Sequence, residues 1–215
     1  MHILIGCEFS GTVRRAFKKK GAAGSNSFSS RWSQYSREHD VYSCDLLPCD
    51  DFSPYHFQED VFKTISRLKW DIIIIHPPCT HLAVSGNRWY GKNKPKHYKR
   101  QESIVWTMKL WETAKECSKM VCMENPVGVL PIKPTQYVQP WQFGHAESKK
   151  TGLWLHNLPK LAPTNIIEKP ECGYWENQTP SGQNNLGPSE DRWKKRSLTY
   201  EGIAQAMAEQ WGEIK

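Results

Sequence analysis

No run of apolar residues in this 215-residue chain approaches the roughly 18 that a bilayer-spanning helix requires. Nor does a charged leader with an apolar core open it, since Met1 runs straight into HILIG. A cytoplasmic protein without a membrane partner is therefore expected. Seven cysteines, an odd number scattered along the chain, do not form a secreted disulfide framework, and most are expected to be free thiols. Apolar residues are scarce, at 38% of the chain with a mean hydropathy of −0.68. That scarcity alone would suit a disordered polymer, but 12% aromatics, including ten tryptophans, supply the large side chains of a folded core. Internal repeats are missing, and the length suits a single domain over residues 1–215. Acidic residues fall short of basic ones, leaving a net charge of +7 and a pI near 9.0. Such a surface suits a polyanion, because lysine and arginine displace counterions from phosphates; plain solubility is the blander account.

Alternating strand and helix signals run along the chain. His2 to Ile5 is a short apolar β run, and GCEFSGTVRRAFKKK follows as a turn and a helix with Val13, Ala16 and Phe17 inward. Residues 21–38, rich in Gly and Ser, predict an exposed loop insertion. DVYSCDLLP predicts a second strand ending at Asp45. WDIIIIHPPC sets four consecutive isoleucines between Asp71 and a Pro-Pro stop, the pattern of a strand buried on both faces at the centre of a parallel sheet. Residues 101–117 place Ile104, Met108, Trp111 and Ala114 at helical spacing. MVCMENP predicts a further strand ending at Glu124, followed by a proline-rich segment, a strand around GLWLHNL, a polar loop over 164–196 and a final helix EGIAQAMAEQW. This alternation predicts a doubly wound α/β domain whose ligands sit at the carboxyl ends of its strands.

Four of those strand ends carry a polar or nucleophilic residue: Glu8, Asp45, Cys79 and Glu124. In an open parallel sheet such ends share one rim, so residues distant in sequence can converge on one crevice. HPPCT mounts Cys79 on a stiff turn, because each proline fixes its own φ and biases its predecessor toward extended geometry. A lone cysteine there equally well packs as a small apolar residue, and a lone Glu124 equally well sits in a solvated loop.

Taken together, PPC followed at a distance by ENP resembles the paired signature of the cytosine-5 DNA methyltransferases, particularly their short phage-encoded relatives. HPPCTHLAVSG is similar to the family's catalytic segment, PPCQ-x-F-S-x-x-G, with Cys79, Ser85 and Gly86 matching and Thr80 in place of the common glutamine. MENPVG is similar to the segment that supplies the glutamate, with Pro126 where many members have valine. GCEFSGTVRRAF resembles the opening segment around the cofactor's methionine part, although of its usual glycines only Gly11 is in place.

The resemblance implies a Rossmann-like class I methyltransferase sheet, mostly parallel, and S-adenosyl-L-methionine as cofactor. It implies cofactor contacts from Cys7, Glu8, Ser10, Gly11 and Pro78, from Asp45 on the ribose and from Asp60, in EDVF, on the adenine. Cys79 and Glu124 become the catalytic pair. Cys79 adds to carbon 6 of cytosine, while Glu124, its pKa raised by burial, acts as an acid toward ring nitrogen 3. Substrate contacts fall to Ser85 and Arg88, and to Lys149 and Thr151 in QPWQFGHAESKKTGLWL, where the family usually has arginines. RSLTYEGIAQAMAEQWG resembles the closing segment, and a plain amphipathic helix accounts for it almost as well.

DNA, single-stranded or duplex with its base flipped out, is the implied partner. SGNRWYGKNKPKHYKR, directly after the catalytic segment, mixes basic residues with Trp89, Tyr90 and Tyr98, a composition suited to phosphates and stacked bases. A phage-encoded member would work in the host cytoplasm. Only about forty residues separate the lysine-bearing segment from the closing helix, too few for a full-size target recognition domain.

Two other readings stay open: a methyltransferase acting on a pyrimidine mononucleotide or on single-stranded nucleic acid, and a catalytically silent nucleic-acid-binding protein. No metal is expected. His145-Ala146-Glu147 lacks the downstream P-C-x-x-C of a zinc deaminase, and His76, Cys79 and His81 lack a second ligand pair.

Overall fold

The computed structural model of the chain describes residues 1–23 and 40–214. In chain order these form β1 (His2–Gly6), α1 (Thr12–Ala23), β2 (Asp40–Asp45), β3 (His56–Gln58), α2 (Val61–Ile65), β4 (Ile72–Ile75), α3 (Asn87–Tyr90), α4 (His97–Cys117), β5 (Met120–Pro126), β6 (Gln136–Val138), β7 (Thr151–His156), α5 (Arg192–Ser197) and α6 (Glu201–Trp211).

The strands make one seven-stranded sheet in the order β3-β2-β1-β4-β5-β7-β6. Pairing is parallel from β3 through β5, and antiparallel between β5 and β7 and between β7 and β6. This is the mostly parallel, doubly wound α/β sheet expected. Successive strands build outward from β1 in one direction and from β4 in the other, so the switch point lies between them, where such sheets hold ligands.

The isoleucine run shows why β4 sits at the centre. All four isoleucines are fully buried. Ile72 and Ile74 join the core under α1 and α6, with Val13, Phe17, Met207 and Trp211, whereas Ile73 and Ile75 join the core under α2 and α4, with Ile65, Leu110 and Trp111. Alternate side chains of a strand point to opposite faces, so a strand covered on both sides must be apolar throughout. Each isoleucine contributes roughly 1.5–3 kcal/mol by leaving water.

Several boundaries differ from expectation, each for a local reason. α1 continues to Ala23, so the expected loop at 21–38 begins as helix, and the remainder of that loop lies outside the described residues. α4 starts at His97 and buries Arg100, Thr107, Leu110, Trp111 and Ala114, while Ile104 and Met108 are only half-buried. Trp111 and Ala114 are thus buried as expected, and the inward face extends to Arg100, which points inward to bind backbone carbonyls.

β5 runs past Glu124 to Pro126. β4 stops pairing at Met123, so the last residues of β5 have only β7 beside them, an edge setting in which proline is tolerated. The polar loop at 164–196 gives way to α5 near its end, and β3, α2, α3 and β6 were not foreseen. Elements of three to six residues carry too few turns or alternations for a period to show.

Candidate functional site

The rim formed by β2, β1, β4 and β5 positions the candidate residues, and it does so in two groups. On the β1–β2 side, Cys7 leaves β1 in the left-handed region at φ +58°, beside Cys44, Asp45 and Asp60. Burial is the largest cause pushing its thiol well up, and the charges of Cys44, Asp45 and Asp60 add to this. Asp45 is half-buried at the end of β2, where Oδ1 accepts from Leu47 N at 2.9 Å. Burial raises its pKa, against hydrogen bonds from the backbone and the charge of His56. Asp60 is exposed and caps α2 through Oδ1, which accepts from Phe62 N at 2.8 Å.

Glu8 and Ser10 face inward instead. Glu8 is 5% exposed, and its two carboxylate oxygens accept from Val13 N at 2.6 Å and Arg14 N at 3.4 Å, at the start of α1. The Ser10 hydroxyl donates to Glu8 or to Thr12 Oγ1. Their direct role is therefore to fix the turn between β1 and α1. Gly11 completes it at φ +68°, packed so closely on the ion pair behind it that an added Cβ would lie 2.4 Å from the Arg14 guanidinium. In that pair Arg14, 2% exposed, donates to both oxygens of Asp51 at 2.6 Å. Burial works against the Asp51 charge, but hydrogen bonds from Cys49, Arg15 and Arg14 outweigh it and hold the carboxyl well below its usual range.

The second group centres on Cys79. Its thiol is half-buried, and its carbonyl accepts from Leu82 N at 3.0 Å and Ala83 N at 2.9 Å, which closes the turn after the prolines. The next stretch is held from behind by Arg100, which donates to His81 O at 2.7 Å, Ala83 O at 3.2 Å and Asn87 Oδ1 at 2.7 Å.

Two adjacent side-chain bonds then join this turn to β5. His76 Nδ1 lies 3.1 Å from Glu124 Oε2, and Asn125 Nδ2 donates to Pro77 O at 2.8 Å. Cys79 and Glu124 thereby share one electrostatic environment. Burial raises the Cys79 thiol, the Glu124 charge raises it further, and Lys149 and Arg196 act in the opposite sense.

Glu124 departs from the sequence expectation. Burial does push its carboxyl up, yet the His76 hydrogen bond and charge, the Lys149 charge and the Thr151 hydroxyl together bring it below its ordinary value. The free site therefore holds a carboxylate rather than an acid.

Lys149 thus reaches both Cys79 and Glu124, Thr151 reaches Glu124, and Lys149 Nζ also donates to Leu198 O at 2.8 Å. Ser85 and Arg88 lie on the exposed turn and on α3, where the Arg88 guanidinium stacks 5.2 Å from the Trp89 ring. Among the described residues neither bonds to Cys79 or Glu124. Pro78 is exposed beside Cys79.

Other contributors had gone unassigned. His76 and Asn125 stand inside the two quoted motifs, and the signal for them was their adjacency to Cys79 and Glu124. Arg196 comes from α5, which meets the rim through Trp193, 5.9 Å from Phe9, and through Lys194, 2.6 Å from Asp50 Oδ1. Nothing local in a polar segment marks such a long-range approach.

The motifs considered for metal have other partners. His81 Nδ1 lies 2.9 Å from Ser103 Oγ. His145 Nε2 accepts from Gly202 N at 3.0 Å, and Glu147 accepts from the Tyr200 hydroxyl, so both serve the start of α6. Among the described residues no three His, Cys, Asp or Glu side chains are grouped to hold a metal ion, and no helix is long and apolar enough to cross a membrane.

No protein-family model matches this chain. No curated protein matches it either. Among solved structures it is similar to a candidate DNA modification methyltransferase encoded within a prophage (E. coli), at 12% identity and a TM-score of 0.48, over 78% of this chain and 52% of that one. The chain thus spans about half the length of that protein.

Proposed function

We propose that the chain is an S-adenosyl-L-methionine-dependent DNA cytosine 5-methyltransferase in which Cys79 adds covalently to carbon 6 of the target base. The observation that carries this reading is the joining of HPPC to ENP by the His76–Glu124 and Pro77–Asn125 bonds, which ties the turn bearing a thiol to the carboxylate of β5 at the carboxyl rim of the sheet, next to the switch point.

The residues on the β1–β2 side fit the cofactor. Asp45 stands at the end of β2, where a carboxylate can accept from ribose hydroxyls. Asp60, exposed beyond β3, can accept from an adenine amino group. Cys7 and Gly11 lie on the turn between β1 and α1 that Glu8 and Ser10 brace. When bound, S-adenosyl-L-methionine supplies an electrophilic methyl group.

Cys79 reacts as its thiolate, a form that Lys149 and Arg196 favour. A bond from its sulfur to carbon 6 makes the ring enamine-like and carbon 5 nucleophilic. Glu124, entering as a carboxylate, accepts from the exocyclic amino group; the Cys79 thiol gives its proton to water, and Glu124 takes one from water and shares it with ring nitrogen 3, neutralising charge as the ring is attacked. After carbon 5 has taken the methyl group and given its proton to a water molecule, the carbon–sulfur bond breaks, ring nitrogen 3 releases its proton, the aromatic ring is restored and Cys79 leaves as thiolate. DNA contact is assigned to the basic and aromatic surface around α3, including Arg88, Trp89 and Tyr98, with Trp89 and Tyr98 both more than half exposed.

Incubation with methyl-labelled cofactor and, in parallel, duplex DNA, single-stranded DNA, RNA and deoxycytidine monophosphate tests the reading. The expected result is 5-methylcytosine in DNA, abolished by Cys79→Ala. Transfer that survives in Cys79→Ala, a different methylated atom, or transfer to the mononucleotide alone would overturn it.

A further inference from the structure

His76 is fixed in place before its side chain is considered. Its backbone N–H donates to Gly6 O at 2.9 Å, tying the end of β4 to the end of β1, and Pro77 after it biases it to extended geometry. The imidazole, 9% exposed, then lies between two carboxylates, the half-buried Glu124 on β5 and the buried Glu8 after β1. Glu8 is already engaged by Val13 N and Arg14 N. Only Glu124 takes a ring nitrogen in a hydrogen bond, and Nε2 is buried without a hydrogen-bond partner among the described residues. A histidine serving packing alone would be expected to have both ring nitrogens satisfied. Here the one bond made is the bond to the proposed catalytic carboxylate.

We infer that His76 is a positioning residue for Glu124: Nδ1 holds Oε2 and so turns the carboxyl plane to present Oε1 to the target base. The inference rests on the methyltransferase reading for its function, and on the His76–Glu124 geometry for its structure. An ionised carboxylate only accepts, so Nδ1 carries the hydrogen of this bond. The carboxyl then keeps one orientation without reorganising when the base arrives, which is the preorganisation that electrostatic stabilisation requires. The groups facing Glu124 are His76 just after β4, Lys149 just before β7, Thr151 at the start of β7, Cys79 from the turn and Cys122 from β5. Glu8 faces His76 from the β1 side. Of these, His76 is the group whose hydrogen bond and charge most strongly keep Glu124 ionised against burial.

The test compares His76→Ala with His76→Asn, whose amide can donate from near the Nδ1 position, and has two readouts. The first is methyl transfer to DNA: His76→Ala should lower kcat roughly 100-fold with little change in KM, and His76→Asn should recover most of it. The second needs no substrate: the carbon-13 signal of the Glu124 carboxyl, assigned through Glu124→Gln, should titrate at higher pH in His76→Ala than in the wild type, with His76→Asn between them. Wild-type kcat in His76→Ala, or no recovery in His76→Asn, would overturn the inference, as would an unmoved Glu124 titration. A wild type that folds and transfers no methyl group would remove the methyltransferase reading while the titration still decides the pairing. Should His76→Ala not fold, His76→Asn against His76→Gln, whose amide sits one methylene further out, makes the same comparison.

Discussion

Asn125 donates its side-chain N–H to Pro77 O at 2.8 Å, and at 1% exposure it does so out of reach of water. The bond crosses from β5 to the turn that carries Cys79, one residue along from the His76–Glu124 contact. Asn125→Ala leaves the Pro77 carbonyl unpaired, so a loss of about 1–3 kcal/mol is expected in chemical denaturation. The turn also loses its tie to β5, and kcat should fall more than stability does when assayed well below the unfolding midpoint.

The Cys79 thiol is raised by burial and by the Glu124 charge. Its thiolate is therefore scarce at neutral pH in the free protein, and alkylation of Cys79, followed by peptide mass spectrometry, should accelerate as pH rises through the alkaline range. Lys149 works in the opposite sense. Lys149→Gln should move the same limb to higher pH, and methyl transfer should follow the shift. A limb that stays in place in Lys149→Gln would remove Lys149 from the environment of Cys79.

Gly11 adopts φ +68°, and a Cβ there would lie 2.4 Å from the Arg14 guanidinium and 2.9 Å from Asp51 Oδ2. Gly11→Ala therefore combines backbone strain with displacement of a mostly buried ion pair. A loss of about 1–3 kcal/mol is expected from the strain alone, read as a lowered midpoint of thermal unfolding.

Trp89 and Tyr98 are 57% and 56% exposed beside Arg88, Lys92 and Lys94. If they stack on bases, Trp89→Ala should weaken single-stranded DNA binding by about 1–3 kcal/mol. Lys92→Gln should instead reduce the slope of log affinity against log salt by about 0.7 for a single-strand phosphate contact. Fluorescence anisotropy across a salt series separates the two effects, and unchanged affinity in both variants would place the DNA contact elsewhere.

The strands of the sheet's centre were legible because each reported its own burial. Four isoleucines in succession fit a strand covered on both faces, and the placement of Asp45 at the end of β2, of Cys79 on the turn beyond β4 and of Glu124 near the end of β5 followed from Pro-Pro and Pro stops and from the polarity of the residues themselves. α4 was found with Trp111 and Ala114 buried as expected, but its inward set also includes Arg100 and Thr107, and the burial of Arg100 depends on distant carbonyls rather than on hydropathy. Glu124 was misjudged for a similar reason. Burial alone raises a carboxyl, and only the approach of His76 and Lys149 reverses the sign.

The sequence by itself determined the class of fold, the central strand and the two segments that hold the thiol and the carboxylate, because apolar patterning and proline stops act over a few neighbouring residues. Tertiary structure alone decided the sheet order, the pairing of His76 with Glu124 and of Asn125 with Pro77, and the arrival of Lys149 and Arg196 beside Cys79. Those are contacts between residues tens to more than a hundred positions apart. Hydrogen bonds and charges at such separations depend on how the strands lie beside one another, which no local pattern encodes.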